Sequence, residues 1–302
     1  MAKTPVSLII PVYNEEKNIE RILLAVQKQT IFQELKEVLV ISDSSNDRTH
    51  DILKGISKNT KKIRLIVKRE RKGKFDSMRK SFSLLNSDII IILDADVSLS
   101  KDTSLSELIS PFSKNDQIGI TVLKNEPLKK KITWASTASL FSIYLRHEII
   151  KLKKDYHYDN FQTLCGRTIA IKKELYKKIE HLYDDPGDDQ NLFFLTIKNK
   201  LRVYYVDSSS VRYNVPLTIN DYLKQNIRYR KGLKAKDRDY GRENVDKYTK
   251  VGPKILIALF LTLIKHPLAA IAWAPLYILG YFSTIKDKKF NSGAWEVSES
   301  TK

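Results

Sequence analysis

The sequence predicts an α/β fold in which a mostly parallel sheet is flanked by helices. Three observations carry that prediction. Short, almost wholly apolar runs recur through the first hundred residues, each ends in a polar turn, and each turn leads into an amphipathic stretch. Strands covered on both faces by crossover helices read as continuous apolar runs rather than as alternating ones.

The first run, Val6 to Val12, is a buried strand with Pro11 near its end. Asn14-Glu15-Glu16 then opens a helix, with Asn14 as its N-cap and Ile19, Ile22, Leu23 and Val26 at helical spacing. Val38 to Ile41 is the second strand, and the turn Ser42 to Asp47 leads to a helix over Thr49 to Ser57. Ile63 to Val67 is the third strand. A basic loop, Arg69 to Lys74, precedes a helix near Phe75 to Leu85. Ile89 to Leu93, apolar at every position, is the fourth strand and stops at Asp94-Ala95-Asp96. In parallel sheets, ligands bind outside the carboxyl ends of the strands. Asp43, Gly73-Lys74, Asp94 and Asp96 all fall at that edge, so they converge although they are distant in sequence.

Beyond residue 130 the alternation weakens. Ile132 to Ile150 is a helix whose stripe of Trp134, Ala138, Phe141 and Leu145 faces either the core or an apolar acceptor. Cys165 to Ile171 and Leu201 to Val206 are strands. Pro216 to Gly232 is a helix with Gly232 as its stop. Ile255 to Phe282 is apolar but is interrupted by Lys265-His266-Pro267, and neither half reaches the ~20 residues a spanning helix needs. Basic residues lie at both ends. The expectation is two short helices dipping into or lying in a membrane interface. A buried core hairpin and one kinked span are the alternatives.

The chain has 302 residues, with 53 Lys and Arg against 35 Asp and Glu, a net charge of +18. Charged residues make up 29%, which excludes a polytopic membrane protein, and the 42% hydrophobic content excludes a disordered chain. A single cysteine, Cys165, excludes an internal disulfide framework and a Cys-rich zinc site. Met1 to Pro5 contains no apolar h-region, so no secretory signal is expected. The positive charge points to an anionic partner: nucleic acid, a membrane surface or a phosphorylated substrate.

Asp94 and Asp96, one residue apart beyond a strand end, suit a hard divalent cation shared with substrate phosphates. Asp43 is either the residue of an Asx-turn or a carboxylate accepting from a nucleobase. Gly73 allows close backbone approach and Lys74 offers charge to a diphosphate; the alternative is a solvated charge run. Asp184-Asp185-Pro186-Gly187-Asp188-Asp189 is an acidic island, either a surface turn or the source of a general base at Asp189. On a helix, Gln225, Arg228 and Tyr229 share one face and present an amide, a guanidinium and an aromatic ring together.

Taken in order, these features resemble the family 2 glycosyltransferases, which have the nucleotide-sugar-binding fold called GT-A. Pro11-Val12-Tyr13-Asn14-Glu15 resembles the family's opening strand and turn. Ser42 to Thr49 resembles its D-D-G-S-T-D-x-T turn, with Ser42 in place of the first Asp. Gly73-Lys74 resembles its G-K loop and Asp94-Ala95-Asp96 its metal motif. Gly187-Asp188-Asp189 stands where members have T-E-D, and Gln225 to Tyr229 where some have Q-x-x-R-W, with Tyr229 for Trp. The resemblance covers residues 5 to 232, about three quarters of the chain.

The resemblance implies an inverting transfer of a sugar from a UDP- or GDP-type donor to a membrane-embedded lipid or lipid-linked acceptor. It implies Mg²⁺ or Mn²⁺ on Asp94 and Asp96, donor contacts from Pro11, Tyr13, Glu15, Asp43, Gly73, Lys74, Asp94, Gln225 and Tyr229, and catalysis by Asp189 with Asp188 and Arg228. The expected layout is a catalytic domain over residues 1–215, the Gln225–Tyr229 helix and a basic linker over 216–252, an apolar membrane-associated segment over 253–285, and a tail over 286–302. The expected location is the cytoplasmic face of a membrane, with the surplus lysines, Lys224 to Lys236 among them, on anionic lipid. A processive polysaccharide synthase or a polyprenyl-phosphate sugar transferase is the alternative. A sugar-phosphate nucleotidyltransferase would carry a Gly-rich loop near Val12 to Glu16, and none is present. A nucleic-acid-binding protein has only the net charge in its favour; no zinc finger or RNP motif accompanies it.

Overall fold

A computed structural model describes residues 4–128, 131–152, 155–159, 161–179, 187–249, 252–286 and 299–301. Asp184, Asp185 and Pro186 of the acidic island, and most of the tail, lie outside the described residues. The strands are β1 (Val6–Val12), β2 (Glu37–Ser42), β3 (Ile63–Val67), β4 (Ile89–Leu93), β5 (Ser98–Leu99), β6 (Ile118–Leu128), β7 (Thr168–Lys172) and β8 (Arg202–Asn214). The helices are α1 (Ile19–Gln27), α2 (Thr49–Asn59), α3 (Lys74–Leu84), α4 (Ser104–Ile109), α5 (Trp134–Lys151), α6 (Lys173–Tyr176), α7 (Asp188–Lys198), α8 (Ile219–Tyr240), α9 (Arg242–Thr249), α10 (Pro253–Lys265) and α11 (Pro267–Lys286).

The strands form one sheet in the order β3-β2-β1-β4-β7-β6-β8-β5. From β3 to β4 all pairings are parallel, as the alternating pattern predicts. The far half makes the sheet mixed. β7 lies antiparallel between β4 and β6, because the chain enters it at the edge where β4 ends: the Asp94 N–H donates to the Arg167 carbonyl at 2.9 Å. Alternate residues of each strand face opposite layers. Leu8, Ile10 and Ile91 pack with Ile19, Leu23 and Leu53 of α1 and α2, whereas Ile9, Ile90 and Ile92 pack with Met78 and Phe82 of α3 and Phe193 of α7.

Several boundaries differ from the sequence reading. Asn14 is not an N-cap; its φ is +53°, and α1 begins after Asn18. β6 is not legible in the sequence because Gly119, Asn125 and Pro127 interrupt its apolar pattern. A Cβ at Gly119 would stand 2.6 Å from Leu175 Cδ1 and 3.0 Å from Leu201 Cβ, so any larger residue would force the buried Leu175 side chain to move. β8 continues through Asp207 to Ser210, where hydroxyl bonds from Ser209 to Ser104 (2.7 Å) and Ser100 (3.2 Å) support an otherwise polar stretch. α8 runs through Gly232, because the following turn buries Ala235 and Lys236, and it ends at Gly241 with φ +82°. A glycine stops a helix where the chain needs the left-handed region, and Gly232 is not such a place.

α5 carries the third layer. Its Ala135 and Ala138 pack on Ala272 and Leu276 of α11, and Phe141 packs on Ala269, Ala270 and Trp273, whose ring centroid is 4.7 Å away. The stripe on α5 is therefore mainly a packing face, except that Trp134 is 51% exposed. His266 separates α10 from α11, so the segment is not one continuous helix, and its outward apolar side chains show that it is not a buried hairpin. α11 starts at Pro267 and runs on to Lys286, so its 20 residues exceed the sequence expectation, and by length and composition it is long and apolar enough to cross a membrane. Leu256, Phe260, Ile264, Leu268, Ile271 and Phe282 all face outward.

Candidate active site

The turns after β1 and β2 are stitched together. The Asn14 N–H donates to Ser45 Oγ (3.1 Å), Glu15 N–H to Thr49 Oγ1 (2.8 Å) and Glu16 N–H to Asp47 Oδ2 (3.1 Å), while Asn14 Oδ1 accepts from the Asn46 N–H (2.9 Å). Ser42, standing where the resembled motif has an Asp, is fully buried and shares hydrogen bonds with Ser45 Oγ (2.9 Å) and His50 Nε2 (2.7 Å). Pro11 pairs with Ile41 at the end of β1, and Tyr13 lies 3.9 Å below the Arg71 guanidinium. Glu15 Oε2 accepts from Asn18 Nδ2 at 2.9 Å, fixing the start of α1.

Asp43 is turned inward. Its Oδ1 accepts from Lys68 Nζ (2.5 Å) and the Lys72 N–H (2.9 Å), and its Oδ2 from the Gly73 N–H (2.7 Å). Lys68 also bonds Asp76 Oδ2 at 2.6 Å, and Lys68 and Asp43 are both nearly inaccessible. This ion cluster pins the basic loop to the end of β2 and presents Gly73, with φ +95°, at the start of α3. Lys68 is a site residue that no motif in the sequence marks. Its signal is its place: it ends an apolar strand at the same edge as Asp43 and Asp94.

Lys74, the first residue of α3, reaches across that edge. Its ammonium donates to Asp94 Oδ1 (2.6 Å), Asp188 Oδ2 (3.0 Å) and the Gly166 carbonyl (2.8 Å). Residues from β4, α3, the turn before β7 and the start of α7 thus meet at one point. The electrostatics follow from this. Burial and the neighbouring Asp96 push Asp94 up to about 6, against the pull of Lys74. Burial opposes the charge on Lys74, but Asp188 and Asp94 outweigh it and raise its pKa. Asp188 is lowered despite its burial, because Lys74 and Arg228 favour its charged form. Asp189 moves the other way: burial and the Asp188 charge raise it. Its Oδ2 accepts from the Gly166 N–H (3.2 Å) and its Oδ1 from the Gln190 N–H (2.9 Å). Glycine at 166 eases this close approach, since a Cβ would stand 3.2 Å from Asp189 Cβ and 3.3 Å from Asp188 Oδ2 and would push the carboxylates back by a few tenths of an ångström.

Arg228 on α8 is close enough for its charge to act on both Asp188 and Asp189. Tyr229 is 43% exposed and lies within the electrostatic reach of Asp189 and Arg146. Gln225, half-buried, has no hydrogen bond to any of these groups among the described residues. Arg167, which the sequence reading had placed only in a strand, sits 3.6 Å above the Tyr213 ring, near Asp94 and Asp96.

Asp96, half-buried, makes no hydrogen bond or ion pair with the described residues. Hard carboxylate oxygens fit Mg²⁺ or Mn²⁺. Among the described residues no group of three His, Cys, Asp or Glu side chains gathers to hold an ion, so the remaining ligands would come from substrate oxygens or water.

Residues 7–180 match the family model described as Glycosyl transferase family 2. The undecaprenyl-phosphate 4-deoxy-4-formamido-L-arabinose transferase of Pectobacterium atrosepticum is 34% identical over 189 residues, covering 55% of this chain and 57% of that one. The probable glycosyltransferase YdaM of Bacillus subtilis is 24% identical over 182 residues, covering 58% of this chain and 42% of that one. The chain thus spans about half the length of these curated relatives. Among solved structures, a mannosyltransferase from Pyrobaculum calidifontis in complex with GDP-Man and Mn²⁺ superposes with a TM-score of 0.61 at 18% identity, over 96% of this chain and 77% of that one, which shows the shared fold.

Replacing Lys68 with Met leaves the buried Asp43 without its cation and Asp76 with only the more distant Arg79, 3.7 Å away. The expected loss is about 3–5 kcal/mol of stability, read from the urea midpoint, because breaking one partner of a buried pair strands the other. A midpoint equal to the parent's would show that the cluster contributes nothing.

Proposed function

This chain belongs to glycosyl transferase family 2, and from that premise we propose that it moves a sugar from a nucleotide-diphosphate donor to an acceptor presented at a membrane surface. The observation that carries the proposal is the meeting of Lys74, Asp94, Asp188 and Asp189 at one sheet edge, with Arg228 beside them. Such a site holds negative charge against positive charge on side chains only 23–29% exposed, where each electrostatic contact is stronger than in water.

In this reading the stitched turns after β1 and β2, with Tyr13, Glu15 and the Asp43-held loop at Gly73, border the nucleoside. Gln225 and Tyr229 border the sugar. Asp94 and Asp96 would hold the divalent cation, which when bound offsets negative charge on the departing diphosphate. Lys74 and Arg228 bring fixed positive charge to the same side. Asp189, made more basic than an ordinary carboxylate by burial and by Asp188, takes the proton of an acceptor hydroxyl as the oxygen attacks the anomeric carbon. Asp188 stays ionised beside Lys74 and keeps that ammonium in place.

The acceptor side follows from α10 and α11. Pro267–Thr284 of α11 has a mean hydropathy of 1.2 over 18 residues, and α11, the neighbouring α10 and Trp134 all expose large apolar side chains. An apolar face of this extent beside a basic surface suits an interfacial membrane position with the active site facing lipid. The matched relative named for undecaprenyl phosphate favours a second reading, in which the acceptor is a lipid phosphate. Such a phosphate is already ionised and needs little help from a base.

Radiolabelled UDP- and GDP-sugars incubated with native membranes and the full chain should label the lipid phase; label confined to water-soluble product would sink the membrane-acceptor reading. Asp189→Asn should lower transfer by roughly 100-fold or more if the acceptor is a hydroxyl. Near-normal transfer would instead establish the phosphate acceptor. Asp96→Ala should abolish the metal-dependent part of nucleotide-sugar binding in calorimetry, and unchanged affinity would refute the metal assignment. On anionic vesicles, the Phe260→Glu and Ile264→Glu changes together should cut binding at least about tenfold, given the apolar burial they remove. Undiminished binding would exclude this face.

A further inference from the structure

Lys236 lies in the basic stretch Lys224 to Lys236 that the sequence assigned to lipid, yet it is completely buried, with 0% exposure. A buried ammonium is costly unless it is paired and hydrogen-bonded, and a long apolar side chain would fill the same space without that cost. The contacts of Lys236 lead to the catalytic end of α7. Its Nζ donates to Asn191 Oδ1 and lies 4.0 Å from Asp239 Oδ2. Asn191 is itself buried and belongs to the first turns of α7, two residues beyond Asp189.

Other contacts join the same turn to α8. Gln190 Nε2 donates to the Tyr229 carbonyl (3.4 Å), and the Tyr240 hydroxyl donates to the Asn191 carbonyl (3.4 Å). Lysine has no acceptor, so Asn191 must offer it Oδ1 and turn Nδ2 the other way. That Nδ2 is buried without a hydrogen-bond partner among the described residues, as is Gln190 Oε1. The turn is thus held by Lys236 in an orientation that leaves polar atoms unsatisfied beside it.

We infer that Lys236 is a positioning residue: by gripping Asn191 it sets the first turn of α7, and therefore Asp189, against the Arg228–Tyr229 face of α8. This rests on the reading of Asp189 as the base. Because the grip crosses between two helices, it fixes a distance that neither helix determines alone. A displacement of about 1 Å at a reacting group is enough to lower a rate by roughly 100-fold.

The test uses the full chain and the radiolabelled nucleotide sugar that labels membrane lipid. The double variant Lys236→Met with Asn191→Leu replaces the polar pair by apolar side chains of similar size, which buried sites commonly tolerate. It is expected to keep donor affinity within about twofold by calorimetry while kcat falls roughly 10- to 100-fold. In an Asp189→Asn background the same double change should lower the residual rate by less than about twofold, since residues acting through one group are not additive. Asn191→Asp keeps an acceptor for the ammonium and should hold kcat within about threefold of the parent, which also covers a double variant that does not fold.

A folded double variant with undiminished kcat, a folded Asn191→Asp variant without activity, or an equal loss in both backgrounds overturns the inference. If Asp189→Asn alone transfers at the normal rate, the base assignment falls and takes this inference with it. An inactive Asp189→Asn beside an undiminished double variant overturns the inference alone.

Discussion

Carboxylates placed at the end of an apolar strand repel one another and lose their hydration, so they need a cation close at hand. In this chain Lys74 is that cation. It sits 2.6 Å from Asp94 and 3.0 Å from Asp188, and its reach ties β4, α3 and α7 to one another at the sheet edge. The neighbouring elements are arranged so that it can reach. The Asp43–Lys68–Asp76 cluster fixes the loop before α3, Gly73 supplies the positive φ at its start, and Gly166 leaves room for Asp188 and Asp189 to approach the turn before β7.

The same contact separates the roles of adjacent carboxylates. Asp188 faces Lys74 and stays ionised, whereas Asp189 turns towards the Gly166 N–H and is raised by burial and by its neighbour. Two residues of the same type, side by side at a helix start, thereby acquire opposite tendencies, and pairs whose environments diverge in this way are where acid–base work is found. Arg228 on α8 favours the charged form of both, so it adds to the lowering of Asp188 and partly offsets the rise of Asp189. The outward apolar face of α10 and α11 belongs to the same assembly, since those helices pack on α5 and α11 also packs on α8, the helix that carries Arg228.

The parallel half of the fold was legible because each apolar run is short, bounded by a polar turn and followed by a helical stripe. The far half was less so. β6 carries Gly119 and Pro127, and β8 passes through serines, so neither shows a continuous apolar pattern; their pairing comes from neighbours distant in sequence. Gly232 illustrates the same limit in a helix. Read locally it is a stop, but the burial of Ala235 and Lys236 in the next turn carries α8 onward. Lys236 was the least legible residue, because nothing in a run of lysines and arginines marks which one points inward.

By itself the sequence determined the strand–turn–helix rhythm, the placing of Asp43, Lys74, Asp94 and Asp96 on one edge, and the family, because those features depend on residue order and local periodicity. Only the tertiary structure decided which charges meet. It turned Asp43 inward to Lys68, set Lys74 between Asp94 and Asp188, and buried Lys236 against Asn191 while leaving the face of α10 and α11 exposed. The physical reason is that charge pairing and burial depend on distances between elements, and those distances are fixed by packing across the sheet rather than by spacing along the chain.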